Sequence, residues 1–431
     1  NLGNDVETPL PNTEIGLGAQ NGREVSGQFW VEGGENDAFD PSQAPVVRWA
    51  NELLKLAIST GASDVHLEPR PSGLLPRYRV DGLLRSGQEL PHDLSAPILS
   101  RFKVLAHLDI TETRLPQDGR FRAHYGEKTF DFRVSSLPGL HGEKIVLRLL
   151  DHSSLVTDLR KLGFSPEDKA RFEKMLMRSH GMILVTGPTG SGKTTTLYAA
   201  LAAARDETKN VITIEDPVEY ELSGVSQSNV QSDIGFTFAA ALRATLRQDP
   251  DVILVGEIRD EETADVAVRA ALTGHLLLST LHTNSAVGTI TRLQDMNVPA
   301  YLIASSLAGV VAQRLARLTC RFCRAEVPKT DPRREEWAQF FGWPHDTTVF
   351  EGTGCDRCNG TGKRGRVAIL EMLDIGPKVR AAIAAQSDAA ALREVAKSEG
   401  LHTLFDDAKE KTLAGLLSPT EAIPILAGHE E

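Results

Sequence analysis

The sequence predicts an α/β protein built around a parallel sheet, and three observations lead to that prediction. Residues 187–196, GPTGSGKTTT, fit the phosphate-loop pattern G-x-x-x-x-G-K-S/T, with an apolar strand before them and a helix after them. Four apolar segments alternate with helical stretches between residues 181 and 282, which indicates parallel strands with helices on both faces. The 431 residues are 41% hydrophobic and 24% charged, as in a soluble globular protein of two or three domains.

The loop itself predicts a nucleotide-binding site. Gly190 and Gly192 let backbone N–H groups turn toward phosphates at the positive end of the following helix. We expect Lys193 to reach the β- and γ-phosphates and the Thr194 hydroxyl to ligate Mg²⁺. A glycine-rich turn with an incidental lysine is the alternative, which the flanking strand and helix disfavour. The residues predicted to contact nucleotide here are Gly187, Pro188, Thr189, Gly190, Ser191, Gly192, Lys193, Thr194 and Thr195.

A catalytic carboxylate is predicted at the end of another strand. In DVILVGEIRD the apolar run delivers Glu257 to the carboxyl end of its strand, where ligands bind in open α/β sheets. We predict that Glu257 orients the water that attacks the γ-phosphate. Gly256 stands where the usual second nucleotide motif has an aspartate, so Mg²⁺ would rely on Thr194 and water. A solvated surface glutamate is the alternative.

Two further strand ends carry polar side chains whose roles the residues alone leave open. ITIEDPVEY places Glu215, Asp216 and Glu219 where carboxylates either face a nucleotide or only cap helices. TGHLLLSTLHTNSA places His275 at the start and His282 at the end of a strand. A histidine near the γ-phosphate could sense its charge, whereas a strand-end histidine is more often hydrogen-bonded structure.

All four cysteines stand in two C-x-x-C knuckles, CRFC and CDRC. Each knuckle offers two thiolates at the separation that a tetrahedral zinc site needs, although the gap between the knuckles exceeds the usual zinc-ribbon spacing. Two disulfides are the alternative, which a chain without an export signal disfavours because the cytosol is reducing. We predict a structural zinc site without an open coordination position, at Cys320, Cys323, Cys355 and Cys358.

Charge and termini exclude some classes of protein. The net charge of −11 argues against a broad nucleic-acid surface, which is usually basic. The sequence contains no run of 18 or more apolar residues, so no membrane span is predicted, and no signal-peptide pattern is present. Because the chain begins at Asn1 without a methionine, we expect a fragment of a longer protein, with any membrane connection made by a partner or by the missing part.

The order of these signals predicts the domain organisation. The composition near the start, rich in Gly, Asn, Pro and acidic residues, indicates a linker before the first helix and strands. We expect a linker over residues 1–44, an α/β domain over 45–152, a hinge over 153–165, a nucleotide-binding domain over 166–318, a zinc subdomain over 319–366 and a helical region over 367–431.

The chain resembles the secretion ATPase superfamily in five motifs: RLPQDGR, GPTGSGKTTTLYAAL, ITIEDPVEY, LRQDPDVILVGEIRDEETADVAVRAALTGH and STLHTNSA. With the cysteine knuckles, the resemblance narrows to the type IV pilus assembly ATPases and the type II secretion ATPases, and it covers nearly everything from Pro45 onward. It implies a homohexameric ring in which a PAS-like second N-terminal domain is joined flexibly to a RecA-like ATPase domain. The implied cofactors are ATP, Mg²⁺ and Zn²⁺.

The resemblance also assigns roles to residues by motif position. It makes Glu257 the Walker B glutamate and favours site roles for the acidic cluster and for His275. The family's acidic "Asp box" and its "His box" fall on the strand ends described above, at Glu215, Asp216, Glu219, His275 and His282.

Arginines recur beside these motifs, and a surface arginine without a role is the usual interpretation of any one of them. An arginine supplied across an interface can neutralise charge in phosphoryl transfer. The resemblance matches Arg133 and Arg148 to first-domain arginines that reach toward bound nucleotide. It matches three others to arginines around the ATPase site and the subunit boundary, namely Arg243, Arg247 and Arg259. For Arg114 and Arg120, in RLPQDGR, a role in the fold alone stays open.

The function implied by the resemblance is that of a cytoplasmic motor, peripheral at the inner face of the bacterial inner membrane. It would act on an inner-membrane platform protein and associated components of the membrane complex. Pilus retraction ATPases share the nucleotide motifs but lack the knuckles, which disfavours retraction. The sequence of the segment ASSLAGVVAQRLARLTC and that of the first helix favour type IV pilus assembly. DNA uptake would then be an indirect output. Type II secretion is the alternative.

Two functions of other classes are disfavoured. A DNA-handling RecA-like protein would need a basic, aromatic stretch, and direct nucleic-acid binding is not expected from this acidic chain. A non-hydrolysing scaffold would not need Lys193, Thr194 and Glu257 together.

Overall fold

A computed structural model of the chain describes residues 29–32, 45–151 and 158–427. The chain divides into two compact units. The first consists of Asn1–Leu155 with Gly354–Gly362, and the second of Val156–Thr353 with Lys363–Glu431.

The first unit contains an antiparallel sheet and two helices. The sheet order is β1-β6-β7-β8-β2-β3-β4, and β5 pairs with β3. The helices are α1 (Pro45–Thr60) and α2 (His92–Leu105). The strands are β1 (Phe29–Val31), β2 (Asp64–Arg70), β3 (Gly73–Val80), β4 (Leu83–Ser86), β5 (Leu90–Pro91), β6 (Gln117–Tyr125), β7 (Lys128–Leu137) and β8 (Lys144–Asp151).

Alternation of apolar and polar residues gives this sheet one apolar face. On β7, Phe130, Phe132 and Val134 are buried, while the residues between them are at least partly exposed. These side chains form one hydrophobic core with α1 and α2. Helix α1 contains the amphipathic sequence VVRWANELLKLAIST, and strands β3, β4 and β7 contain most of LLPRYRVDGLL and all of KTFDFRVSSL.

Part of the segment that we expected to be a linker belongs to this sheet. Residues 29–31 form β1, which pairs antiparallel with β6, Trp30 opposite His124. Phe29 and Val31 are buried, and this apolar alternation explains why the segment adds to the sheet edge. Residues 1–28 and 33–44 of the predicted linker lie outside the described residues.

The second unit contains a seven-stranded sheet, a two-stranded sheet and twelve of the helices described. The helices are α3 (Leu159–Leu162), α4 (Pro166–Leu176), α5 (Lys193–Ala204), α6 (Phe238–Thr245), α7 (Glu261–Leu272), α8 (Ala286–Asp295), α9 (Ala300–Ser306), α10 (Arg333–Phe341), α11 (Pro377–Ala384), α12 (Ala389–Ser398), α13 (Leu404–Leu413) and α14 (Pro419–Ala427). The strands are β9 (Gly181–Thr186), β10 (Val211–Glu215), β11 (Ser226–Asn229), β12 (Val252–Val255), β13 (Leu276–Leu281), β14 (Leu307–Thr319), β15 (Arg324–Glu326), β16 (Phe350–Gly352) and β17 (Lys363–Asp374).

The large sheet has the order β11-β10-β12-β13-β9-β14-β17. All neighbours pair in parallel except β14 with β17. The four predicted strands are confirmed as β9, β10, β12 and β13, and every residue in them is buried. Continuous apolar runs are typical of strands covered on both faces. Three strands that the apolar runs did not predict, β11, β14 and β17, complete the sheet.

Two predicted segment boundaries need correction. Residues 158–165, predicted as part of a hinge, are folded in the second unit: α3 lies there, and Leu159 and Phe164 are buried at 2% and 4% exposure. Residues 152–157 of that predicted hinge lie outside the described residues. Residues 367–374, predicted as the start of a helical region, belong to β17, because their apolar side chains pair with β14 in the sheet core.

A charged cluster connects the first long helix of this unit with its C-terminal helices. Helix α4 begins after the cap Ser165, with Pro166 in its first turn. The carboxylate of Asp168 on α4 lies 3.7 Å from Nδ1 of His402, and Glu410 lies 3.4 Å from its Nε2. The Asp168 carboxylate raises the pKa of His402 to about 9 against the effect of burial.

We therefore expect stability to depend on pH through His402. Because the folded pKa lies above the ordinary value of 6.5, the ion pair stabilises fully below about pH 6.5, and this contribution is lost as the pH rises through about 9. His402→Gln should lower the free energy of unfolding by about 2 kcal/mol at pH 6 and by much less at pH 10. Urea unfolding at both pH values measures this, with the exposed His345→Gln as control. An equal loss at both pH values would contradict the assignment.

Candidate active site

The phosphate loop lies between β9 and α5, as predicted. Thr186 ends β9, Gly192 caps α5 with φ of 88°, and Lys193 and Thr194 begin the helix. The αL conformation at Gly192 disfavours any residue with a Cβ there. Helix α5 thus directs its N-terminal N–H groups into the loop, which is the arrangement that binds phosphate. Pro188, Thr189 and Gly190 form the exposed crest of the loop.

The Lys193 ammonium is held inside the loop. Its Nζ donates to the carbonyl oxygens of Gly187 at 2.9 Å and Pro188 at 3.1 Å. Burial lowers the pKa of Lys193, the Glu257 carboxylate opposes that change, and the Arg314 guanidinium adds to it. Lys193 therefore lies within electrostatic range of the predicted catalytic glutamate.

Glu257 contacts two of the other predicted site residues, Arg259 and His282. It follows β12, and its side chain is 14% exposed. Its carboxylate lies 2.5 Å from Nη2 of Arg259 and 3.5 Å from Nε2 of His282, which follows β13. Since β12, β13 and β9 are parallel neighbours, their carboxyl ends bring Glu257, His282 and the loop to one edge of the sheet.

The acidic cluster after β10 divides between this edge and the interior. Asp216 is close enough to Arg259 to raise the pKa of that guanidinium, together with the larger effect of Glu257. Glu215, in contrast, is 4% exposed and accepts hydrogen bonds from Tyr198 and from Oγ1 of Thr213. We expected Glu215 to face the nucleotide, but its carboxylate is buried under the sheet edge.

The remaining member of the cluster contacts the same tyrosine. The backbone N–H of Glu219 donates to the Tyr198 hydroxyl at 3.3 Å. Tyr198 on α5 thus joins the helix of the phosphate loop to the segment after β10. This contact gives the acidic segment a fixed position beside α5.

The structure places His275 at the edge of the sheet opposite the phosphate loop of its own chain, and its predicted role at the γ-phosphate stays a prediction. His275 precedes β13, and its carbonyl accepts from the N–H of Gly181 at the start of β9, whereas the phosphate loop follows the end of β9. Five residues of strand separate the two edges by about 17 Å. Its Nδ1 lies 3.0 Å from the carbonyl oxygen of Ala270 near the end of α7.

Two predicted arginines, Arg243 on α6 and Arg247 just after it, contact neighbours other than the loop. Nη2 of Arg243 donates to Glu262 of α7 at 2.7 Å. Nη1 of Arg247 donates to the carbonyl oxygen of Arg243 at 2.8 Å. Arg243 thus pairs with α7, and Arg247 bonds back to the last turn of α6.

In the first unit, arginines form a row across three strands. Arg120, Arg133 and Arg148 are directly paired in register on β6, β7 and β8. Arg148 donates to the carboxylate of Asp64 on β2 at 3.0 Å. The structure thus places Arg120, whose role the sequence left open, beside the two predicted arginines. Arg114 lies apart from the row, in an exposed pair with Glu112.

The four cysteines converge. Their sulfur atoms all lie within 4.8 Å of one another, and no disulfide joins them. The sulfurs of Cys355 and Cys358 are 3.7 Å apart, close to the roughly 3.8 Å edge of a zinc–thiolate tetrahedron with bonds of about 2.3 Å. Backbone N–H groups of Cys355 and Gly362 donate to the Cys358 sulfur, each at 3.2 Å, as suits a thiolate. This donor set fits a tetrahedral metal ion.

Sequence reasoning missed the hydroxyls and amide that support the loop. Thr186 Oγ1 donates to the carbonyl oxygen of Leu281 at 2.9 Å, and the N–H of Thr283 donates back to Thr186 Oγ1 at 2.9 Å. Gln313 and Arg314 of β14 lie on the other side of β9 and also contact the loop. The sequence does contain a sign of them, since two polar residues interrupt the apolar run AGVVAQRLA. Polar side chains in a buried strand need hydrogen-bond partners.

A phosphate loop on a parallel sheet, with a glutamate at the end of the neighbouring strand, defines a P-loop ATPase. The chain matches the family described as "Type II/IV secretion system protein" over residues 40–424. It belongs to this family and hydrolyses ATP.

Curated relatives cover most of the chain. It is 47% identical over 395 residues to a putative type II secretion system protein E of Escherichia coli (strain K12), across 91% of this chain and 79% of the relative. It is 43% identical over 382 residues to the type II secretion system ATPase E of Vibrio cholerae, across 89% and 75%.

Solved structures share the architecture. The pilus retraction motor PilT, with bound ADP, has a TM-score of 0.60 and 29% identity, covering 87% of this chain and 96% of PilT. The Legionella pneumophila ATPase DotB has a TM-score of 0.65 and 21% identity, covering 90% and 98%, and supports the fold alone. Within the described ranges, no helix has the length and apolar character needed to cross a membrane.

Proposed function

We propose that the chain is the ATPase of a type II secretion system, and that its ATP hydrolysis drives pseudopilus assembly and protein export. The observation that carries this proposal is its 43–48% identity with relatives named type II secretion system protein E or ATPase E. These relatives favour type II secretion over type IV pilus assembly. The sequence alone had favoured pilus assembly and kept type II secretion as the alternative. The motor would be a cytoplasmic homohexamer that acts on an inner-membrane platform protein.

The test of this function is a deletion in the natural host. We expect exported proteins to be lost from the medium while surface pili persist, and the wild-type gene to restore export. Loss of pili with export intact would contradict the proposal and select pilus assembly. The Glu257→Gln variant, returned in the same way, separates the need for hydrolysis from the need for the protein.

Nucleotide binding follows from the loop and its neighbours. The loop N–H groups and Lys193 would hold the ATP phosphates, and Thr194 with water would hold Mg²⁺. Glu257 would orient the attacking water, and Arg259 and His282 contact its carboxylate on either side. Bound Mg²⁺ would supply charge neutralisation at the β- and γ-phosphates. The ADP bound to PilT supports this use of the fold.

The cysteine cluster would hold one structural zinc ion. Four thiolates leave no coordination position for substrate, so the ion would stabilise the segment between β14 and β17 instead of taking part in hydrolysis. Cysteine sulfur atoms at tetrahedral separation support zinc over the disulfide alternative.

The arginine row would supply positive charge to bound nucleotide. Like charges directly opposite one another destabilise a sheet, so the three paired arginines cost stability that an anionic ligand would offset. A first domain that moves when phosphate charge changes would couple hydrolysis to motion.

We expect Arg133→Ala and Arg148→Ala each to lower kcat at least about tenfold, because charge stabilisation of phosphoryl transfer by arginine is large. Steady-state phosphate release by the full chain measures this, with size-exclusion chromatography to show intact oligomers. Arg122→Ala removes an exposed arginine that pairs with Asp131 in the same sheet and should leave kcat unchanged. Parental rates in both variants, with oligomers intact, would show that the row does not serve the active site.

A further inference from the structure

Gln313 and Arg314 lie on β14 just beyond the end of β9. The two strands are parallel, and Ala312 is the partner of Thr186, the last strand residue before the phosphate loop. The next two residues of β14 therefore stand beside the loop. Both are buried, Gln313 at 2% and Arg314 at 4% exposure. Buried polar side chains need hydrogen-bond partners, and these partners show what each side chain holds.

The Gln313 side chain holds the phosphate loop against its own helix. Nε2 donates to the carbonyl oxygen of Ser191 at 2.7 Å, and Oε1 accepts from Oγ1 of Thr196 on α5 at 2.7 Å. The loop backbone also packs on this residue. A Cβ on Gly187 would lie 2.4 Å from the Gln313 carbonyl oxygen, and one on Gly192 would lie 2.8 Å from Nε2. Gln313 therefore packs against the phosphate loop and fixes the conformation of its backbone.

The Arg314 guanidinium holds a second loop. Nη2 donates to both the carbonyl oxygen and Oδ1 of Asn284, each at 3.0 Å, and Nη1 donates to the carbonyl oxygen of Gln313 at 3.0 Å. Asn284 follows His282 by two residues, and His282 contacts the Glu257 carboxylate. Arg314 thus connects the strand beside the phosphate loop to the segment that reaches the catalytic glutamate.

A buried carboxylate supports this arrangement from the next strand. Glu371 on β17 is 3% exposed and accepts the backbone N–H of Ala286, the first residue of α8, at 2.7 Å. Its charge counteracts the burial that lowers the pKa of Arg314. The segment between β13 and α8 is therefore fixed at Asn284 by Arg314 and at Ala286 by Glu371.

We propose that Gln313 and Arg314 are positioning residues for ATP hydrolysis, Gln313 for the phosphate loop and Arg314 for the segment that carries His282. Neither needs to touch the nucleotide. The two residues act on different steps, because the loop binds the phosphates in the ground state and His282 contacts the residue that orients water. Substitutions at the two adjacent positions should therefore separate KM from kcat.

The test compares steady-state ATP hydrolysis by full-length variants. Gln313→Glu keeps the side-chain shape but turns an oxygen toward the Ser191 carbonyl oxygen, and should raise KM for ATP about tenfold with kcat within about twofold. Arg314→Lys keeps the charge but loses the planar fork that bonds Asn284 and the Gln313 carbonyl oxygen together, and should lower kcat about tenfold with KM within about twofold. Titration with a fluorescent ADP analogue gives the concentration of folded nucleotide sites. The value of kcat is calculated per folded site, so that unfolded protein does not lower it.

Further variants keep the test independent of stability. Asn284→Ala removes one acceptor of Arg314 and should lower kcat in the same way, even if Arg314→Lys folds poorly. Arg317→Lys makes the same substitution on the same strand, at an arginine that pairs with Glu421, and should change neither parameter. Kinetics equal to the parent's in both Gln313→Glu and Asn284→Ala would overturn the proposal. So would a higher KM together with a lower kcat in both variants.

Discussion

Lys193→Ala should weaken ATP binding at least about 100-fold, because a charged donor to phosphate is lost from a site built around it. The Nζ of Lys193 is already held by the Gly187 and Pro188 carbonyl oxygens, so the ammonium is positioned before phosphate arrives. Burial lowers the pKa of Lys193, as expected for a charge that is partly removed from water. A bound phosphate group would add a negative charge beside this ammonium. Equilibrium binding of a fluorescent ATP analogue measures the effect.

The matched control is Lys209→Ala. Lys209 also donates to a backbone carbonyl oxygen, that of Ala204, but at the opposite end of α5. We expect this variant to bind ATP as the parent does. Binding by Lys193→Ala within about threefold of the parent would contradict the assignment of the loop, since a loss that small is below the value of one charge-assisted hydrogen bond.

Replacing Cys355 and Cys358 by serine should abolish zinc binding and destabilise the chain by several kcal/mol. Structural zinc contributes its binding energy to folding, and two thiolates cannot hold it alone. We expect one zinc ion per chain in the parent and none in the double variant, by elemental analysis of protein purified without chelator. Thermal unfolding should begin at a lower temperature, while ATP binding per folded chain persists because the phosphate loop is not altered.

Chelator treatment provides the control. It should lower the unfolding temperature of the parent to that of the double variant and leave the variant unchanged, since the metal is the common cause. Parent protein without zinc, or a chelator effect on the double variant, would refute the zinc assignment.

The strand-end rule explains which site residues could be predicted from the sequence. Glu257 and His282 follow apolar runs, so their position at the carboxyl edge of a parallel sheet follows from chain direction alone. The same rule places His275 at the other edge of the sheet, because a residue that precedes its strand lies there. For His275 the family motif and the direction of the strand point to different positions, and the site role that the resemblance implies stays a prediction.

Residues whose position depends on distant partners could not be predicted. The burial of Glu215 depends on Tyr198, which lies on another element. Strand β14 was missed because Gln313 and Arg314 interrupt its apolar run, and their partners Ser191 and Asn284 are far away in the sequence. Long-range hydrogen bonds of this kind leave no local periodicity.

The claim that this site hydrolyses ATP with Glu257 as the residue that orients water is tested most directly by Glu257→Gln. Glutamine keeps the size of the side chain but removes the charge that polarises water. We therefore expect ATP binding within about threefold of the parent and kcat lowered at least about 100-fold. Glu394→Gln, at an exposed glutamate on α12 paired with Lys397, is the control and should hydrolyse ATP at the parental rate. The measurement is phosphate release at saturating Mg-ATP: bound but unhydrolysed ATP in Glu257→Gln is the predicted result, and turnover equal to the parent would contradict it.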